Sequence, residues 1–219
     1  LLNREQYGEG AVAALLHGPL KVSTVVSQGC RPIGDHFVVT KARDNIIVEL
    51  GGRSPMERLR EVFDALSEHE QELVQHGLHV GQVINEYQDD FRRGDFLVRA
   101  CLGHDPVSGA IAVGDAVRVG QTVQFHVRDA DSADEDLREL LADSVPAKPK
   151  GALLFTCNGR GTRMFGEPDH DARVLGELAG NVPVAGFFAQ GEIGPIGGRN
   201  FMHGFTASVA LFEAADEAE

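Results

Sequence analysis

Two glycine-rich stretches carry the side chains best suited to chemistry. In Cys157-Asn158-Gly159-Arg160-Gly161-Thr162-Arg163 a thiol, an amide and two guanidiniums share one short turn, and in the segment from Gly191 a carboxylate, Glu192, is followed by Arg199 and His203. A guanidinium offers a planar fork of donors that suits a carboxylate or phosphate, and flanking glycines let the backbone approach a ligand closely. Arg160, between two glycines, is the first choice as an anion clamp, with Arg163 and Arg199 as alternatives. The competing reading is that these arginines hold loops through carbonyls or a neighbouring acid. Glu192 follows the apolar run VPVAGFF, an expensive place for a carboxylate without a partner. A ligand ammonium would serve, and so would Arg160 or Arg199. If Arg160 takes a carboxylate and Glu192 an amino group, the pair describes a site for a zwitterionic amino acid. The candidate ligand-binding set is therefore Cys157, Asn158, Arg160, Arg163, Gly191, Glu192, Arg199 and His203.

Cys157 ends an apolar strand, and strand ends are where ligands gather in α/β architectures. As a nucleophile it would need a base, and His170 and His203 are the nearest in sequence. No hydrolase signature surrounds it, and a small buried thiol is the commoner fate of cysteine. No catalytic residue is assigned beyond that one candidate. Asp169-His170-Asp171 places its donors too close together to converge on a metal, and reads better as the acidic first turn of a helix carrying Val174, Leu175 and Leu178. GEIGPIGGRN lacks the spacing and the Lys of a phosphate-binding loop. Neither metal nor cofactor is expected.

The elements that must position these residues are legible in outline. KVSTVVSQ, HFVVTKA and NIIVEL are rich in β-branched residues and read as strands. Ser54-Pro55 makes an N-cap and first helical position for a helix with Met56, Leu59, Phe63 and Leu66 on one face, and Ser67 to His76 continues helical up to Gly77. FLVRACLG, IAVGDAVRVG and TVQFHVR read as further strands. Asp131 to Asp143 returns to helix, with Ser132 as N-cap and Leu137, Leu140 and Leu141 inward, and GALLFTC opens the last β segment.

Charge and composition narrow the partners. With 33 acidic against 20 basic residues the net charge is −13, and there is no Trp, so a nucleic-acid backbone or a base-stacking platform is not expected. Much of the acid lies in Asp129 to Asp143 and the tail from Glu213, which read as solvated faces. Three cysteines without paired spacing argue against a disulfide framework and for a reducing cytoplasm. No apolar run approaches a membrane span, and the first residues have no signal-peptide pattern.

Gln28-Gly29-Cys30-Arg31-Pro32-Ile33-Gly34 is similar to Gln190-Gly191-Glu192-Ile193-Gly194-Pro195-Ile196-Gly197 given a one-residue gap, and each lies between β segments. This reads as a duplicated unit whose first copy lacks a counterpart of GALLFT, so the expectation is a chain that represents the carboxyl-terminal part of a longer protein.

FTCNGRGTRMFGEPDHD, with VPVAGFFAQGEIGPIGGRNFMHGFTASVALF, resembles the C-terminal domain of the FIST family, and GPLKVSTVVSQGCRPIGDHFVVTKA resembles the end of its N-terminal domain. FIST proteins are regarded as intracellular sensory modules that bind small ligands, with amino acids among those proposed, and that feed signalling proteins. The resemblance implies an α/β (α+β) fold of mixed sheets and flanking helices, in two related subdomains with the first incomplete. It divides the chain into 1–50, the end of the N-terminal domain, and 51–219, the C-terminal domain. It implies small-ligand sensing with a signalling partner and no established reaction. A Cys157-dependent enzyme and a ligand-free adaptor are the alternatives.

Overall fold

The computed structural model describes residues 5–88 and 90–215. Strand β1 (Leu20–Gln28) passes through the single residue Gly29 into β2 (Cys30–Arg43), followed by β3 (Ile46–Leu50), α1 (Pro55–Ala65) and α2 (Glu68–His76). Then come β4 (Leu78–Val83), β5 (Phe96–His104), β6 (Ile111–Val113) and β7 (Thr122–Arg128). Strands β2 to β7 close an antiparallel barrel in the order β2-β3-β6-β5-β4-β7, with β7 pairing back to β2. Closure leaves no edge among these strands, and their inward residues, Val39, Ile47, Val80, Ile111 and Phe125 among them, form one apolar core.

The long strand β2 pairs with β7 along its first part and with β3 along its second, and its register slips between Ile33 and His36 and again near Lys41. Gly34 sits in the first slip at φ +61°, where a Cβ would stand 2.6 Å from Val62. That position therefore requires glycine, both for the backbone turn and for the close packing of α1. Both helices begin on a capping box. Ser54 accepts from the Glu57 amide while Glu57 accepts from the Ser54 amide, and Ser67 and Glu70 repeat the arrangement.

The second layer is built from α3 (Ala130–Ser144), β8 (Gly151–Cys157), α4 (Thr162–Phe165), α5 (His170–Ala179), β9 (Val184–Ala189), β10 (Glu192–Ile196), β11 (Arg199–His203) and β12 (Thr206–Ala214). Its sheet runs β1-β12-β8-β9, antiparallel except for the parallel pair β8 and β9. Leu137 and Leu141 of α3 and Val174 and Leu175 of α5 bury one face of it against Leu154 and Val209. The β10–β11 hairpin covers part of the other face, where Gly194 lies so close to Val26 that a Cβ would be 2.3 Å from its methyl group. Strand β9 is the open edge, with Phe187 and Phe188 more than half exposed. The fold is thus α+β with mixed sheets.

Several elements differ from the reading of the sequence. Strand β4, LHVGQV, carries no clear alternation because nearly every residue is buried between its two barrel neighbours. Helix α3 starts at Ala130, with Asp129 in the cap position, and Ser132 donates its hydroxyl to Asp129 rather than capping. Glu192 and Arg199 lie in strands, and the turn between them is Gly197-Gly198, both at positive φ. Of the two similar Gly/Pro segments, Gln28–Gly34 links β1 to β2, and Gln190–Gly197 links β9 to β10. Among the described residues no helix is long and apolar enough to cross a membrane.

Candidate functional site

The parallel strands β8 and β9 end side by side, and the loop leaving β8 is fixed to β9 by a bond from the Asn158 amide to the Ala189 carbonyl at 2.8 Å. At these carboxyl ends lies a cavity of about 730 Å³ lined by Cys157 to Arg163, Pro168, Asp169, Phe188, Gln190, Phe205 and Arg128. Strand ends of this kind are where open α/β sheets place ligands. Arg128 is the last residue of barrel strand β7, so the cavity sits where barrel and sheet meet.

Of the eight side chains singled out in the sequence, Cys157, Asn158, Arg160 and Arg163 line this cavity, and Gly191, Glu192, Arg199 and His203 do not. Arg160 is 1% exposed and its partner is Asp171, which it grips through Nε and Nη2 at 2.7 and 2.8 Å. Its remaining nitrogen reaches the Phe205 carbonyl at 3.4 Å, and the guanidinium carbon lies 5.2 Å from the centre of the Phe165 ring. Burial pushes the Asp171 carboxyl up, yet the bonds and charge of Arg160, aided by His170, hold it below the ordinary carboxylate range. His170 stacks on Phe165 at 3.5 Å and bonds Asp171 through Nδ1 and Asp134 of α3 through Nε2, at 3.1 and 2.8 Å. Arg160 therefore serves as the frame of the loop, and a ligand anion would have to compete with a buried bidentate carboxylate.

Glu192 is 2% exposed and is bonded by the Cys157 side chain. It accepts from the Gly191 amide at 3.2 Å and from the Thr206 hydroxyl at 2.9 Å. Burial raises its pKa, and the bonds from Thr206, Gly191 and Cys157 oppose that rise. The Cys157 sulfur accepts from the Gly159 amide at 3.4 Å. His203 is buried against the Gly194 carbonyl at 2.9 Å, and Arg199 is exposed on the hairpin beside Phe201. Neither His170 nor His203 is bonded to Cys157, since each is engaged elsewhere. The pair Arg160 and Glu192 does not meet: each has its own internal partner.

Three lining residues lie outside the sequence-derived set and matter to the site. Arg128 donates Nη2 to the Gly159 carbonyl, its guanidinium carbon lies 4.7 Å from the centre of the Phe205 ring, and its Nε is buried without a partner. Asp169 is exposed at the cavity rim, at φ +58°. Phe205 is also in the left-handed region, at φ +64°, and its carbonyl accepts from the Gly29 amide at 2.9 Å. A Cβ on Gly29 would stand 2.7 Å from that oxygen, so this glycine permits the sheet and the barrel to touch. A strand-ending arginine ahead of a helix was the one available signal for Arg128.

A closed barrel and a mixed sheet that share an arginine-lined cavity define a two-layer α+β module with a built pocket at its junction. The chain belongs to the FIST family: the FIST C domain model matches residues 55–195 and the FIST N domain model residues 1–53. FIST domains are generally taken as small-ligand-binding sensory and signalling domains. The chain is 54% identical over 213 residues to uncharacterized protein Rv0628c of Mycobacterium tuberculosis, covering 96% of this chain and 55% of that protein. It is 55% identical over 206 residues to uncharacterized protein Mb0898c of Mycobacterium bovis, covering 93% of this chain and 53% of that protein. The chain thus spans about half the length of the curated relatives it matches.

Proposed function

We propose that this chain is a sensory module whose cavity takes a small, anionic, amino-acid-like ligand and passes the event to a signalling partner in the cytoplasm. The observation that carries this reading is the cavity itself, whose lining includes Arg128, Arg163, Asn158, Gln190 and Asp169. A ligand carboxylate finds donors on Arg128 and Arg163, and a ligand ammonium finds Asp169, a role the sequence reading gave to Glu192. The volume lies within the range usual for small-molecule sites. Three free cysteines fit a reducing compartment.

Calorimetric titration of the twenty amino acids and of simple dicarboxylates against this chain tests the reading. Binding by a subset is expected, together with a raised melting temperature, and Arg163→Met and Asp169→Asn should weaken it in different ligands, the first for all carboxylates and the second only for those bearing an amine. Equal heats for every compound, or none with any, would remove the proposal. A pull-down repeated with and without the binding amino acid tests the signalling part, and capture that ignores the ligand counts against it.

A further inference from the structure

Arg128 belongs to the barrel, yet its guanidinium's hydrogen bond and its ring contact are both to residues of the sheet layer. Its Nη2 is held by the Gly159 carbonyl and its flat face by the Phe205 ring, while Nε is buried with no acceptor. A buried donor without a partner is costly in a folded protein and calls for an explanation. Here the explanation lies next to it, since Arg128 lines the cavity. An anion that draws the guanidinium out of its present contacts would supply the missing acceptor.

The Phe205 ring links that guanidinium to the barrel. His79 of β4 meets the same ring edge to face, with ring centres 4.6 Å apart. The residue holds a left-handed backbone that a bulky side chain rarely adopts, and such a conformation persists only where the surroundings over-determine it. Those surroundings are the Arg128 contact, the His79 contact and the carbonyl bonds from Gly29 and Arg160. Remove one and the conformation loses part of its support.

We infer that Arg128 is the ligand-responsive latch of this site: an anion that draws its guanidinium from Gly159 releases the Phe205 ring, and through Gly29 and His79 the change reaches the barrel. The inference rests on the ligand-binding reading for its trigger, while the coupling of Arg128, Phe205, Gly29 and His79 is argued from the contacts among them alone. A ligand shifts such an equilibrium only by its differential affinity for the two arrangements, and Arg128 supplies that difference because its bonding partner changes.

The experiment is amide hydrogen exchange with imidazole NMR on the whole 219-residue chain, with L-glutamate and inorganic sulfate as anion probes. Arg128→Met, without any probe, should speed exchange of the Gly29 amide about tenfold and move the His79 resonances. In the wild type, a bound probe should produce the same changes, and in Phe205→Leu, at a probe concentration that saturates the variant, the response at β4 should disappear. If Arg128→Met leaves Gly29 and His79 unmoved, the latch is overturned whether or not a probe binds. If the wild type binds neither probe and Arg128→Met still moves both, the coupling stands and the anion-binding reading fails. If Phe205→Leu still transmits a probe's effect to β4, Phe205 is not the link and the latch is overturned. Because the Arg128 charge also acts directly on His79, a His79 shift counts for the latch only where Arg128→Lys, which keeps the charge without the flat donor fork, shows it too; that variant also serves if Arg128→Met does not fold, and it should show the same faster exchange at Gly29.

Discussion

Acid should unfold this protein through two histidines on the outer wall of the barrel. His79 of β4 and His126 of β7 are cross-strand partners, 4% and 1% exposed. Burial lowers both pKa values to about 4, against backbone acceptors at Gly77 and Gln124 that favour the charged form. The unfolded chain protonates each near the usual 6.5. Between those values the unfolded state binds more protons than the folded one, so stability is lost as pH falls from about 6.5 towards about 4 and is unaffected above. Going from about pH 7.5 to about pH 5 costs about 2 kcal/mol per imidazole, or about 4 kcal/mol for the two, a large part of the 5–15 kcal/mol typical of a domain. Glu192 and Asp136 work the other way, because burial raises their carboxyls and the folded state takes up their protons first. The assay is urea unfolding at the two pH values for wild type and His126→Gln. Both contain the same carboxylates, so the difference isolates the imidazole, and the variant should lose about 2 kcal/mol less than wild type. An equal loss in the two proteins would refute the argument.

Other expectations concern the frame of the cavity. Asp171→Ala leaves the Arg160 charge buried and unpaired and should cost about 3–5 kcal/mol, whereas Arg160→Met combined with Asp171→Leu should recover much of it; chemical denaturation of the set decides. Among the cysteines, Cys30 is fully enclosed with its thiol pushed up to about 12. Mass-resolved alkylation should therefore modify Cys101 first, Cys157 more slowly, and spare Cys30 in the folded protein, and early label on Cys30 would contradict its placement. Gly34→Ala combines a positive φ with contact against Val62 and should lower the melting temperature more than Ser54→Ala, which removes one cap worth about 1 kcal/mol.

Local elements were legible where a local signal existed. Ser54-Pro55 marks the start of α1, Gly77 the end of α2, and the β-branched runs mark β1 to β3, because caps and strand propensity depend on neighbours in sequence. Barrel closure was not legible, since it pairs Cys30 with Arg128 and buries both faces of β4. The same limit applies at the site. Glycine and arginine at Cys157–Arg163 pointed to the loop, but only the fold shows that Asp171 takes Arg160, that Thr206 takes part of Glu192, and that the barrel lends Arg128. An arginine's partner is a tertiary fact.

The chain crosses between sheet and barrel at Gly29 and again at Asp129, each a single residue between regular elements. Arg31, just past the first crossing, binds Asp129 at the second, at 2.8 Å, and reaches Glu70 of α2 at 3.0 Å. Two short joints clamped to each other form a weld, not a hinge. The joint opposes a swing of the two halves, so a message from the cavity, on the reading proposed above, would travel as rotated side chains and altered bonds across it, with little change in the outline of the molecule.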